Sequence, residues 1–463
     1  MMQDPLLADL SRELGESRVL VDPERLPQYE TDWLGRRSGR ARCVVFPATH
    51  EQVVESIAIC RHHHAPLIPQ GGNTGLVGGG VPHSEEVVLS LRNLRSTCDV
   101  HTDELSVVAD AGWTIGEVGE QLASQGLELP FDLASRDSAT VGGVVATNAG
   151  GLRVIRFGHV RRQLMGIRAV LPDGTTIDHL EGLRKDTAGY DLTSLLCGSE
   201  GTLGIITAAR FATVVPDPAS LTACVGCDSL YKVMDIIARA RQEQGAVLGA
   251  AELMREEGVA QACDLFGTKR PFREHSAYLL LLVFAAEDGE HALAACEAVL
   301  SSVAPDAPVA IASDHDAAAS LWALRERHPE IVGRLGTPLK LDTAVPLSVY
   351  ATAMEGMEER IHMVDPGAKI VLYGHAGDGS MHVNVAPSSV AFEYSIQKEV
   401  YEWISSCKGT ISAEHGIGWD KREWLHLIRS KEEIALYRSM KAAIDPDRLL
   451  NPGVLFPSDV GSG

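Results

Sequence analysis

The segment Pro69-Gln70-Gly71-Gly72-Asn73-Thr74-Gly75 directly follows an apolar stretch, Pro66-Leu67-Ile68-Pro69. Glycines at this density free the backbone to take positive φ, and successive N–H groups can then close into an anion-binding nest, for which a pyrophosphate is the natural guest. The Rossmann fingerprint is absent, because Asn73 stands where a glycine is needed and Leu76 to Gly80 is a poor helix start. The Walker lysine is absent too. Two further segments have the same texture. Thr140-Val141-Gly142-Gly143 runs into Ala146-Thr147-Asn148-Ala149-Gly150-Gly151, and Gly198 to Thr207 supplies the third. One such loop is usually a tight turn. Three in one domain imply backbone laid closely along a long, flat ligand.

A second constellation lies near the C-terminus. His375 and His382 bracket Ala376-Gly377-Asp378-Gly379-Ser380-Met381, and Glu414-His415 follow downstream. Imidazole and carboxylate suit a divalent transition metal, most often zinc. His375, His382 and Glu414 fill three positions and leave room for a substrate oxygen, with His415 beside them to move a proton. Residues seven apart on one flat strand point to opposite faces. A turn at Gly377-Asp378-Gly379 removes that obstacle. Ser380 to Val385 then reads as a strand with His382 and Asn384 on one face.

Other cysteines and histidines carry less. Cys224-Val225-Gly226-Cys227 lies in a strand-like run and reads as two free thiols, since a zinc knuckle needs a second pair. His62-His63-His64 closes a helical pattern (51–61) and reads as a solvated helix end. The net charge of −21 argues against nucleic acid or an anionic membrane as a general partner. An anionic substrate therefore needs a local basic pocket. The longest apolar run, Ala277 to Ala286, is too short to span a bilayer and reads as a buried strand. Met1 to Leu20 carries polar and acidic residues throughout, unlike a secretory signal, and nine scattered cysteines fit reduced thiols in a cytoplasmic setting. Attachment at the membrane periphery through a partner stays open.

Strands and helices alternate without a regular βαβ rhythm, which favours α+β lobes over a doubly wound sheet. The reading divides the chain into residues 1–41 (helix and linker), 42–216, 217–445 and a tail at 446–463, with Pro216-Asp217-Pro218 as the clearest break.

From about Arg42 to Gly453 the chain resembles the flavoproteins of the p-cresol methylhydroxylase and vanillyl-alcohol oxidase superfamily, in the branch of FAD-linked D-2-hydroxy acid dehydrogenases. The resemblance rests on residues 69–79, 141–158, 198–207, 375–384 and 412–418 and on Asn451-Pro452-Gly453. It implies an FAD-binding domain of two α+β subdomains (42–216), an antiparallel-sheet cap or substrate domain (217–445), and a tail returning to the FAD domain. By the same resemblance Gly71, Gly72, Asn73, Thr74 and Gly75 hold the pyrophosphate, and Pro69 beside them belongs to the cofactor site. Gly142, Gly143, Asn148, Gly151, Gly204 and Ile206 line a non-covalent flavin, and Asn451 reaches it from the tail. His375, His382 and Glu414 match the metal ligands, and His415 the proposed base. Asn384 matches a polar neighbour of the metal, Arg325 a carboxylate clamp and Lys340 a substrate-binding lysine. Without the resemblance Arg325 and Lys340 read as surface charges.

The implied reaction oxidises a D-2-hydroxy acid to the 2-oxo acid. D-2-hydroxyglutarate leads, because Arg325 and Lys340 together suit two carboxylates. D-lactate dehydrogenase and the glycolate oxidase flavin subunit are the alternatives. Electrons then pass to an external quinone or electron-transfer flavoprotein, since the chain shows no iron–sulfur or NAD motif. Two positions depart from the pattern: Pro329 replaces a threonine common in hydroxyglutarate-specific relatives, and Ser380 replaces an asparagine in the metal turn. A flavin-dependent transferase of the same fold, such as the ether-lipid synthase, needs a histidine cluster in the cap; here the triple histidine lies in the N-terminal domain. A non-flavin metal hydrolase leaves the glycine loops unexplained. Oligomeric state is open, a homodimer included.

Overall fold

A computed structural model describes residues 4–457. Residues 1–3 and 458–463 of the expected N- and C-terminal segments lie outside the described residues. The chain divides into two compact units: Met1–Gly151, Phe157–Pro216 and Glu414–Gly463 form the first, Leu152–Arg156 and Asp217–Ala413 the second. The return to the first unit thus begins earlier than the residue 446 expected from sequence.

The first unit carries two sheets. In one, β1 (Val19–Leu20), β2 (Ala41–Val45), β3 (Leu67–Gln70) and β4 (Glu86–Ser90) lie in the order β1-β2-β4-β3, with β4 parallel to both β2 and β3. Both faces are covered, as parallel strands require. On one face Cys43, Val45, Leu67, Val87 and Leu89 pack with Leu6, Leu10 and Leu14 of the helix Pro5–Leu14 and with Val53, Ile57 and Cys60 of the helix His50–His62. On the other, Val44, Ile68 and Val88 pack with Leu20 and Leu26. The leucines recur every fourth residue, so one stripe of the first helix is apolar. Asp4 caps it and Pro5 opens it.

The second sheet contains β5 (Cys98–His101), β6 (Ser106–Asp110), β7 (Leu164–Val170), β8 (Thr176–Asp178) and β9 (Ile205–Ala212), ordered β5-β6-β9-β7-β8 and antiparallel throughout. Its core joins Val107, Ile167, Ala209 and Phe211 to Val118 and Leu122 of the helix Ile115–Ala123, which opens with a Thr114/Glu117 capping box. The stretch from Val141, read from sequence as a glycine loop, begins with a short helix, Val141–Thr147. Buried Val141, Val144 and Val145 dock it onto the same core, and packing outweighs the low helix propensity of Gly142 and Gly143. The returning chain bonds to β3 through Leu67 N to Leu449 O and Asn451 N to Leu67 O, both 2.8 Å.

The second unit is one seven-stranded antiparallel sheet. Its strands are β10 (Ala219–Cys227), β11 (Val247–Arg255), β12 (Tyr278–Ala286), β13 (Val309–Ile311), β14 (Leu339–Ala344), β15 (Lys369–Gly374) and β16 (Ser380–Ala386). They lie in the order β13-β10-β12-β11-β15-β16-β14. Leu279, Leu280, Leu281 and Leu282 on the interior strand β12 are all fully buried, so both faces of the sheet are covered there. On one face Cys224, Met254, Leu279 and Leu281 meet Leu321 and Leu324 of the helix His315–Glu326. Cys224 and Cys227 are free thiols in buried β10, and burial pushes both up to about 12, in keeping with an inert C-x-x-C. Among the described residues, no helix is long and apolar enough to cross a membrane.

Candidate active site

Strand register assembles the chemistry of the second unit. Lys340 pairs with Asn384 and Asp342 with His382 between β14 and β16. Asn384 pairs with Val371 and His382 with Tyr373 between β16 and β15, and Tyr373 pairs with Met254 of β11. Directly paired residues point to the same face, as do residues two apart on one strand. Lys340, Asp342, His382, Asn384, Tyr373 and Glu252 therefore share one face, the face on which the helix His315–Glu326 packs. Arg325, in the last turn of that helix, is buried.

Glu252 is almost fully buried and divides its carboxylate between two partners. His375 Nδ1 lies 2.7 Å from Oε1, and Arg325 Nε donates to Oε2 at 2.8 Å. Burial opposes the charge on Glu252, yet His375 and Arg325 outweigh it and hold the pKa below the usual glutamate value. The Arg325 guanidinium also lies over the Tyr373 ring, 4.4 Å from its centroid, and its Nη groups make no hydrogen bond among the described residues. Asp342, also buried, stands 3.4 Å from His382 Nδ1. His375 thus offers Nδ1 to a carboxylate, His382 Nδ1 lies near one without a hydrogen bond to it, and the two Nε2 atoms face one another at 3.2 Å. At that separation either one Nε2–H donates to the other nitrogen, or both present lone pairs and a cation stands between them. Tetrahedral zinc holds two imidazole nitrogens about 3.3 Å apart, so the pair fits a metal. Ser380 N bonds Asp378 Oδ1 at 3.0 Å and closes the turn that makes the convergence possible. Serine serves that turn through its backbone, so its side-chain identity matters little.

Lys340 is half-buried, and burial lowers its pKa. It has no acidic partner among the described residues. The Asn384 amide donates to Val371 O at 3.2 Å, which fixes its orientation on this face. Pro329 sits in the first turn of the short helix His328–Gly333, where a proline forfeits no helical hydrogen bond.

The first unit gathers the glycine segments. Arg92 takes the carbonyls of Gly71 and Gly72 at 3.0 and 2.8 Å, while the N–H groups of Gly72, Asn73, Thr74 and Gly75 find no acceptor among the described residues. Asn73 adopts φ 53°, with its side chain bonded to Thr31 O. A Cβ on Gly72 would stand 1.9 Å from Ser138 O, whereas one on Gly75 would meet nothing within 4 Å. The loop is closed on its protein side and open on the other, with donors unspent: the form of an anion cradle. Pro69 packs against the third glycine segment, since a Cβ on Gly201 would lie 2.5 Å from its Cγ. Gly142 lies against Ala111 and Ile206 O, and Gly151 against Asp132 O. Asn148 ends the helix Val141–Thr147 in the left-handed region and accepts from Arg161 N. Asn451 Nδ2 donates to Gly79 O and Glu200 O at 3.0 and 2.7 Å, tying the tail to two glycine segments, and its Oδ1 is buried with no partner among the described residues. Gly204 packs against Leu171 and Leu196, and the Ile206 side chain lies in the core. Glu414 lies against Gly150, where a Cβ would meet its Cγ at 3.2 Å. Glu200 accepts from Ile417 N and Gly418 N at 2.8 and 2.7 Å and so pins the loop that begins with Glu414 and His415. This donor-rich, open cradle fits the phosphates and flat ring of a flavin dinucleotide.

Sequence reasoning missed Glu252, Asp342 and Tyr373. Glu252 had one detectable signal, a lone charge in the apolar run Gly249-Ala250-Ala251-Glu252-Leu253-Met254.

Residues 41–179 match the family model described as FAD binding domain, and residues 217–455 match that of the FAD linked oxidases, C-terminal domain. The chain is 36% identical over 451 residues to mitochondrial D-2-hydroxyglutarate dehydrogenase of Bos taurus, covering 95% of this chain and 81% of that one. It is 33% identical over 451 residues to a Schizosaccharomyces pombe protein provisionally named a mitochondrial D-lactate dehydrogenase, covering 93% and 85%. The solved structure of p-cresol methylhydroxylase with substrate bound shares the fold, with a TM-score of 0.80 over 99% of this chain and 98% of that one, at 14% identity. The chain belongs to the family of FAD-linked oxidases. Within that family its place is among the FAD-dependent D-2-hydroxy acid dehydrogenases.

Proposed function

We propose that this enzyme oxidises D-2-hydroxyglutarate to 2-oxoglutarate with FAD and a divalent metal, zinc by its donor set, and passes the electrons to an external quinone or electron-transfer flavoprotein. The observation that carries the reading is the shared sheet face. There the carboxylate-held imidazole of His375 converges with that of His382 beside a buried arginine, and a half-buried lysine with no acidic partner among the described residues stands two residues along β14 from Asp342, about 7 Å away at strand spacing. Two cations on one face suit a substrate with two carboxylates; D-lactate, with one, leaves Lys340 unused.

When bound, FAD supplies the two-electron acceptor and the metal an electrophile for the hydroxyl. The protein's own groups do the rest. Arg325 grips the C1 carboxylate through its Nη pair, Lys340 takes the distal carboxylate, and Asn384 orients the substrate from the same face. His415 receives the hydroxyl proton. Glu414 is assigned as the third metal ligand on its residue type and on the tether of its segment. Thr410, four residues before it, is bonded in both directions to Ala344, two residues beyond Asp342 on β14, at 2.8 and 3.1 Å.

Anaerobic mixing with a panel of D- and L-2-hydroxy acids tests the reading through flavin bleaching. D-2-hydroxyglutarate should bleach fastest, and a chelator should prevent it. Equal bleaching by D-lactate would remove the two-carboxylate assignment, and chelator-insensitive bleaching would remove the metal.

A further inference from the structure

Glu252 lies on β11, while His375 and Arg325 come from the turn after β15 and from the helix His315–Glu326. A carboxylate has two acceptor oxygens and no proton to give, so it can receive one hydrogen bond from each of two donors at once. Here both are used, at 2.7 and 2.8 Å. Asp342 Oδ1 approaches His382 Nδ1 at 3.4 Å.

We infer that Glu252 is a positioning residue with two dependants. It locks His375 in the tautomer that leaves Nε2 bare for the metal, and it holds the Arg325 guanidinium by Nε so that the Nη pair faces the substrate. The inference rests on the reading of His375 as a metal ligand and Arg325 as the carboxylate clamp. The geometry leaves His375 little choice. Its Nδ1 faces an acceptor that cannot donate, so the ring proton sits on Nδ1 and Nε2 carries the lone pair. The same oxygen pair cannot rotate to suit His375 without abandoning Arg325. One carboxylate thereby ties ligand orientation to clamp orientation.

Glu252→Gln separates the two duties. An amide can still accept from Arg325 Nε through its oxygen, but its NH2 then faces His375 Nδ1 and forces that nitrogen to accept. The ring proton moves to Nε2 and blocks the metal lone pair. In FAD-loaded, metal-stripped protein with 15N-labelled histidine, the parent should show a His375 imidazole protonated at Nδ1, and the variant one protonated at Nε2. Zinc affinity, measured by calorimetry without substrate, should fall about 10- to 100-fold. Affinity for glutarate, which lacks the 2-hydroxyl and probes the cationic clamp, should stay within about threefold. Unchanged zinc affinity in the variant, or an Nε2-protonated His375 in the parent, overturns the inference. If the variant does not fold, the tautomer in the parent still decides. If the parent binds no zinc, the metal reading of the site fails, and the tautomer measurement continues to test Glu252 by itself.

Discussion

At the scale of single residues, charge and burial decide what each group can do. Arg325 is buried with one nitrogen spent on Glu252, so Arg325→Ala should raise KM for D-2-hydroxyglutarate by at least about tenfold with a smaller change in kcat. An unmoved KM removes it as the clamp. His415→Ala should keep its flavin and metal content yet lose about 10²- to 10⁴-fold in kcat, the range for a lost general base. Retained turnover would strike it from the mechanism. His328 is fully buried, with Nδ1 on Leu324 O and its ring against Tyr373. Burial, helped by the Arg325 charge, pushes its pKa down from 6.5 to about 4. Above pH 6.5 His328 is neutral in both folded and unfolded chains, and its stabilising contribution is complete. As pH falls from 6.5 towards 4 the unfolded chain takes up a proton that the folded chain refuses. About 3 kcal/mol of stability is lost across that window, with no further loss below it. Denaturant unfolding at pH 7 and pH 4.5 should show His328→Gln with a distinctly flatter pH dependence than the parent. Equal slopes would mean that other groups carry the acid sensitivity.

At the scale of elements, the glycine cradle is a contact between backbones. Ser138 O stands where a Cβ of Gly72 would be, at 1.9 Å, and Ala139 Cα lies 3.2 Å away, so no side chain can yield to admit a methyl group. Gly72→Ala should cut bound flavin at least about tenfold, read from the flavin-to-protein absorbance ratio of the purified protein. Gly119, inside the helix Ile115–Ala123, has nothing within 4 Å. Gly119→Ala should leave flavin content unchanged and stabilise by about 0.5–1 kcal/mol. If both substitutions behave alike, the cradle argument is wrong. Elements with a clear period were legible in the sequence. The strand at Ala277 to Ala286 and the helix ending at the triple histidine both appear within a few residues of where the pattern puts them. The strand Val247–Arg255 and the helix Tyr350–Val364 were not legible. One hides a glutamate and a glycine in an apolar run, and the other mixes alanine, glycine, methionine and charges without a clean stripe. Burial in the tertiary fold supplies what local propensity does not.

At the scale of the whole molecule, a net charge of −21 surrounds the site proposed for a dianion. Recognition then depends on a few buried cations rather than on the general field. Flavin and metal are also assigned to different donor sets, one of glycine-loop N–H groups and one of imidazoles. Removing the metal with a chelator should therefore abolish substrate-driven flavin bleaching while leaving the flavin spectrum and its stoichiometry intact. Re-adding zinc should restore bleaching. Loss of flavin together with metal would contradict separate sites.

The sequence by itself determined the reactive vocabulary: glycine segments that strip side chains from a cradle, two histidines joined by a turn, a strand alternation that aligns His382 with Asn384, and the family to which these motifs point. Such features are local, written within about ten residues. Only the tertiary structure decided that Glu252 serves both His375 and Arg325, that Asp342 faces His382, and that Lys340 stands without a carboxylate among the described residues. These facts depend on strand register across more than a hundred residues of chain. A slip of one residue turns every side chain to the opposite face, so no local pattern can specify the outcome.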